Sequence, residues 1–112
     1  MSNQTPTASQ IMEGMKSAFQ SDKAQGIDAV VQFNLTSEGG GEYYVTIKNG
    51  SLDVQPGKAT NPKMTLTADT KDYYDVITGK QNAMAAFSAG KLKLGGDMMF
   101  AMKLPSFFGR TT

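Results

Sequence analysis

Residues able to move protons, hold metals or attack carbonyls are few in this chain. It contains no Cys and no His, which removes thiolate nucleophiles, disulfides, the usual general base and the commonest transition-metal ligand together. Carboxylates, lysines and tyrosines remain. Asp69, Asp72 and Asp75 recur every three residues, a spacing that sets carboxylates on neighbouring turns of a helix, where they could collect a cation. Lys71 stands among them, and acids in a first helical turn answer the helix macrodipole, so capping and solvated roles account for all three. Tyr44 and Lys48 have the Tyr-x-x-x-Lys spelling of a short-chain dehydrogenase pair. That pair needs one face of a helix, whereas both residues here fall on the polar side of a strand. Gly39-Gly40-Gly41 lacks the strand–turn–helix setting of a dinucleotide loop, and Gly79-Lys80 lacks the upstream Gly and following Ser/Thr of a phosphate loop. The residues predict no catalytic group, no metal set and no cofactor.

The chain has 112 residues, with 11 Lys+Arg against 10 Asp+Glu. That length makes one domain with one core, and so even a balance gives no field to recruit nucleic acid. The charge is nevertheless uneven along the chain. Residues 91–112 hold Lys91, Lys93, Lys103 and Arg110 against Asp97, while residues 1–90 hold seven basic and nine acidic groups. Met1 to Gln10 has neither the basic nor the apolar region of an export signal. The longest greasy stretch, Met98 to Met102, falls far short of the ~20 residues that span a bilayer. Asn-x-Ser/Thr sites at Asn3, Asn34 and Asn49 are then chance matches. A soluble cytoplasmic protein is expected, with residues 1–8 a flexible lead-in.

Periodicity supplies the elements. Thr7-x-x-Gln10 has the form of a capping box, and Ile11, Met12, Met15 and Phe19 make one apolar stripe behind it. The helix fades in the polar run Ser21 to Gly26. Ile27, Ala29, Val31, Phe33 and Leu35 then alternate with Asp28, Val30, Gln32, Asn34 and Thr36, the strongest strand signal in the chain. Ser37 to Gly41 is a turn. Tyr43, Val45 and Ile47 resume the alternation, Asn49-Gly50 makes a hairpin turn, and Leu52 and Val54 return on the same face. After a Pro-Gly loop from Pro56 to Pro62, Met64, Leu66 and Ala68 alternate once more. Asp69 caps a helix carrying Tyr73, Val76 and Ile77 that stops at Gly79. Asn82 caps another over Ala83–Ala89, with Met84 and Phe87 on one side. Lys91 to Leu94 is a short strand ended by Gly95-Gly96, and Asp97 caps Met98–Leu104, which Pro105 stops. Strands with one greasy and one wet face describe a sheet covered on a single side. The fold class is α+β: a five-stranded, mostly antiparallel sheet with one face covered by helices.

The C-terminal segment is greasier than a core helix requires. Met98, Met99, Phe100, Ala101 and Met102 cover every side of a short helix, and Phe107 and Phe108 follow. One flat contact cannot bury them all. Core packing serves some; the rest face an apolar ligand or an exposed patch, a role that suits the adaptable Met chain. A basic rim beside greasy residues also suits transient contact with anionic lipid surfaces, though a solvated face fits the same charges.

The strings Met64-Thr-Leu-Thr-Ala-Asp69, Asp75-Val-Ile-Thr-Gly-Lys80 and Ala86-Phe-Ser-Ala-Gly-Lys-Leu-Lys-Leu-Gly-Gly-Asp-Met-Met-Phe-Ala-Met-Lys-Leu104 resemble the sterol carrier protein 2 family. Its pattern there is a Thr-Gly-Lys, a short helix, a Gly-Lys-Leu-Lys strand, a Gly-Asn or Gly-Asp step and a Met/Leu-rich helix. The N-terminal half matches more loosely, through Gln32-Phe-Asn-Leu35 and Asn49-Gly50. The resemblance spans about residues 9–108 and makes residues 9–112 a single domain of this kind. It implies an apolar tunnel between sheet and helices that carries fatty acids, fatty acyl-CoA, sterols or phospholipids without chemistry on them. Carried over by position, the lipid-binding residues are Met15, Phe19, Phe33, Ile77, Met84, Phe87, Met98, Met99 and Met102. Phe107 and Phe108 stand where the C-terminal segment closes or opens the tunnel. Lys16, Lys23 and Gln25 are the polar groups available for a headgroup. Peroxisomal members end in Ser-Lys-Leu or a variant, whereas this chain ends Arg110-Thr111-Thr112, in keeping with a cytoplasmic address.

Two functions remain open at this level. One is a non-catalytic carrier of a small-molecule lipid. The other is an accessory module that presents a lipid substrate to a lipid-metabolising partner enzyme. Burying about 16 methylenes at ~0.8 kcal/mol each yields roughly 12 kcal/mol gross, and association and ordering costs leave micromolar to nanomolar affinity.

Overall fold

A computed structural model of the chain describes residues 6–37, 39–103 and 107. Helix α1 (Ala8–Ala18) begins at the expected capping box: the Gln10 N–H donates to Thr7 Oγ1 at 3.3 Å, and the Thr7 N–H donates to Gln10 Oε1 at 2.9 Å. Ala8, Ile11, Met12 and Met15 form its buried stripe. The polar run that follows is not irregular throughout. Ser21–Ala24 winds into a short 3-10 turn that buries Ala24.

Five strands follow: β1 (Asp28–Thr36), β2 (Gly41–Lys48), β3 (Ser51–Pro56), β4 (Met64–Asp69) and β5 (Leu92–Gly96). Their order across the sheet is β3-β2-β1-β4-β5, with β1 and β4 parallel and every other pair antiparallel. Register brings the apolar residues of all five onto one face. Val31 lies opposite Val45 and Met64, Phe33 opposite Tyr43 and Leu66, Val45 opposite Val54, and Leu66 opposite Leu94. A one-residue slip in any strand would turn its apolar set to the other face. The β2–β3 turn has the expected geometry, with φ of 49° at Asn49 and 81° at Gly50.

The connection from β3 to β4 crosses the polar face. Gln32, on that face, is buried because the loop covers it: its Nε2 donates to the Gly57 carbonyl at 3.1 Å and its Oε1 accepts from the Ala59 N–H at 2.7 Å. A buried amide is tolerated when its donors and acceptor are met in this way.

Helices α2 (Thr70–Ile77), α3 (Ala83–Ser88) and α4 (Met98–Lys103) join α1 on the apolar face. α1 lies over β2 and β3, α2 over β1 and β4, α3 against β5, and α4 against β4 and β5. Asp69 and Asn82 cap α2 and α3 as expected. One boundary differs. Gly95 and Gly96 do not end β5 but pair within it, opposite Thr65 and Met64. At Gly96 φ is +88°, and a Cβ would stand 2.5 Å from the Lys63 carbonyl oxygen, so only glycine lets the strands approach here. Among the described residues no helix is long and apolar enough to cross a membrane.

Candidate functional site

The covered face of the sheet is a continuous apolar floor, and three side chains from different elements meet on it. Phe33 rises from β1. The Tyr73 ring of α2 lies 5.7 Å from it, tilted by 55°. Met15 of α1 completes the set, its sulfur 3.5 Å from the Tyr73 hydroxyl. All three are buried, and burial raises the Tyr73 pKa far above the ordinary phenol value. Phe19 and Ile77 pack half-buried against this core.

Phe107 is buried too. Its ring centroid lies 5.8 Å from that of Phe100 of α4, and its carbonyl accepts from the Gln20 N–H at 2.7 Å. Phe107 thereby meets the residue that follows the end of α1 and its C-cap, a contact that sequence spacing does not reveal. The Met102 side chain and Phe108 lie outside the described residues.

The other expected lipid-binding side chains stand at the surface. Met84 is 65% exposed, Phe87 41%, Met98 43% and Met99 75%. They are the exposed large apolar side chains among the described residues, and all four sit on α3 and α4, the short helices either side of edge strand β5. The core therefore holds Met15, Phe33 and Phe107, while the α3–α4 side carries apolar surface with water against it. Exposed apolar side chains mark a site of contact where they join into one patch.

An open cavity of about 270 Å³ lies beside α4, just below the ~300–1,000 Å³ of ordinary small-molecule sites. Ile27, Ala29, Met99 and Phe100 give it apolar walls; Asp28, Lys63, Asp97 and Lys103 stand around them. Lys63 Nζ lies 3.2 Å from the Asp97 carboxylate and 5.8 Å from the centre of the Phe100 ring. The Phe100 N–H donates to Asp97 Oδ1 at 3.0 Å. That bond, and then Lys63, hold the Asp97 carboxyl below the usual carboxylate range. Asp97 was legible in the sequence as a cap; Lys63, more than thirty residues earlier, carried no local signal.

The polar residues expected at a headgroup are scattered and exposed. Lys16 lies 3.7 Å from Glu13, Lys23 is on the 3-10 turn, and the Gln25 amide donates to the Ser21 carbonyl at 3.3 Å. The three aspartates also divide by role. Asp69 accepts from the N–H groups of Lys71 and Asp72 as a cap, and a hydrogen bond from Ser37 is the largest influence lowering its pKa. Asp75 pairs with Lys71 at 3.0 Å, which raises the lysine's pKa. No group of three metal-type side chains occurs among the described residues.

A five-stranded sheet with helices on one apolar face is the architecture of the sterol carrier protein 2 domains. A Helicoverpa armigera sterol carrier protein domain matches over 95% of this chain and 88% of its own, with TM-score 0.77 and 26% identity. A palmitated SCP2L2 from Aedes aegypti matches over 89% and 92%, with TM-score 0.65 and 26% identity. Residues 8–109 match the SCP-2 sterol transfer family, and the chain belongs to that family. Among curated relatives, peroxisomal multifunctional enzyme A of Dictyostelium discoideum is 32% identical over 89% of this chain and 26% of its own length. Human sterol carrier protein 2 is 36% identical over 70% of this chain and 15% of its own length. The chain thus spans about a quarter or less of these relatives.

Proposed function

We propose that this chain is a non-catalytic, cytoplasmic carrier that holds one long-chain lipid between the apolar sheet face and its helices. Fatty acids, fatty acyl-CoA and sterol-like lipids are the classes in view. The observation that carries the reading is the division of apolar side chains in a member of a sterol transfer family. Buried Met15 and Phe33, with half-buried Ile77 packed against the same core, adjoin helices whose Met84, Phe87, Met98 and Met99 have no full apolar cover. In this reading those four form the mouth and outer wall, and a lipid chain supplies their cover. Phe19 and Phe107 close the end near α1. Lys16, Lys23 and Gln25, all exposed, are the polar groups available to an anionic headgroup. Family membership supports lipid binding in general, and the palmitated Aedes relative supports a fatty acid as one cargo. Native mass spectrometry of the purified protein, followed by organic extraction, tests this. A single-lipid adduct is expected. Failure to load palmitate, palmitoyl-CoA or cholesterol even when they are supplied would contradict it.

A second reading has its own support. The relatives named as enzymes are about four times longer than the region they share with this chain, so the same domain can serve as an accessory that presents lipid to a neighbouring catalytic unit. Co-purification of a lipid-metabolising enzyme, lost on Met84→Ser and Met99→Ser substitution, is the expected sign.

A further inference from the structure

Tyr73 places a hydroxyl where a purely apolar interior needs none. Its ring packs against Phe33, the side chain is only 5% exposed, and a phenylalanine would fill the same volume. A buried phenol normally finds a good acceptor, because an unmet hydroxyl is costly away from water. Here the hydroxyl donates to Met15 Sδ at 3.5 Å, and a thioether is among the weakest acceptors a protein offers. The methionine chain is also the most easily rearranged of the large apolar ones. The weak acceptor is thus on the side chain best able to withdraw.

We propose that the Tyr73 hydroxyl donates to a neutral oxygen (a hydroxyl, ketone or ester carbonyl) on a lipid lodged between the sheet and the helices, in the position Met15 sulfur takes in this structure. This rests on the carrier reading above and adds a chemical selectivity to it. An ionised carboxylate is the wrong partner at that depth, since burying its charge beside a neutral phenol is unfavourable. Charged headgroups belong with the exposed lysines. The chain would thus favour oxygenated lipids over plain ones of equal length.

The test is a binding series of stearate and stearates whose ketone is moved along the chain, titrated into the intact protein and into Tyr73→Phe. In the unsubstituted protein at least one keto-stearate should bind roughly fivefold more tightly than stearate, the worth of one net hydrogen bond. In Tyr73→Phe that ratio should fall to about one. Met15→Leu, which strands the hydroxyl without its sulfur, should widen the ratio instead. A flat series in the unsubstituted protein, or a preference that survives Tyr73→Phe, would overturn the assignment while leaving the carrier reading intact. If neither stearate nor its keto forms bind, the assignment falls, and the carrier reading falls with it only when palmitoyl-CoA and cholesterol fail to bind as well.

Discussion

Asp97 is held by Lys63 through backbone and side chain at once. The Asp97 N–H donates to the Lys63 carbonyl at 3.0 Å, and the Lys63 ammonium reaches the Asp97 carboxylate at 3.2 Å. The same carboxylate caps α4. One residue before β4 thus fixes the residue that starts the Met-rich helix, on the side where the apolar surface is exposed.

Acid should loosen this arrangement. The carboxyls of Asp97 and Asp69 both lie below their usual pKa in the fold. For a depressed carboxylate, the stability it contributes is complete above its unfolded pKa, near 4, and is lost as pH falls through the folded value. The unfolding midpoint should therefore be flat near neutrality and decline below about pH 4. Asp97→Asn should flatten that acid limb. An identical limb in the variant would show that the carboxylate is not responsible.

Phe87→Asp and Met99→Asp should abolish binding of a fluorescent fatty acid while leaving the fold intact. Both side chains are exposed enough to accept a charge without burying it. Circular dichroism and the unfolding midpoint report the fold. Well-folded variants that still bind with unchanged affinity would remove these residues from the site.

Gly96→Ala should destabilise the protein by more than ~1–2 kcal/mol, the ordinary cost of a left-handed non-glycine residue. The added methyl group also meets the Lys63 carbonyl. Chemical denaturation measures the change, and a loss below a few tenths of a kcal/mol would mean that the β4–β5 approach is not as close as described.

Contact with anionic membranes, if it accompanies lipid exchange, should depend on the β5 side. Lys91 and Lys93 lie at and on edge strand β5, which stands in sequence between the two helices that expose Met84, Phe87, Met98 and Met99, and each lysine at an anionic surface is worth about 1 kcal/mol. Lys91→Glu with Lys93→Glu should weaken sedimentation with phosphatidylserine-containing vesicles by roughly tenfold or more. Lys48→Glu with Lys58→Glu, an equal change of net charge on β2 and the β3–β4 loop, should have a much smaller effect. Equal losses would point to net charge and not to this sheet edge.

The sheet was legible because its evidence is local. Ala29, Val31, Phe33 and Leu35 keep a period of two, Asn49-Gly50 fits its turn, and Thr7, Asp69 and Asn82 each cap the helix that follows. Gly95 and Gly96 misled, since local chemistry marks glycines as strand ends, whereas both pair within β5 and a close approach to Lys63 requires glycine at Gly96. The candidate site was legible only in part. Periodicity put Met15 and Phe33 on inner faces, and both are buried. The exposure of Met84 and Met99 depends on how short helices settle against a sheet edge, which periodicity over six residues does not determine. Neither the Lys63–Asp97 contact nor the meeting of Tyr73 with Met15 is local: the latter pair is 58 residues apart, and only the assembled fold brings them together.

The most direct test of the carrier reading is equilibrium titration of the purified protein with a fluorescent long-chain fatty acid, followed by displacement with unlabelled palmitate. Saturable binding of one lipid per chain, at about micromolar affinity or tighter, and full displacement are expected. Absence of saturable binding to the fatty acid, to palmitoyl-CoA and to cholesterol, by protein that retains its cooperative unfolding transition, would contradict it.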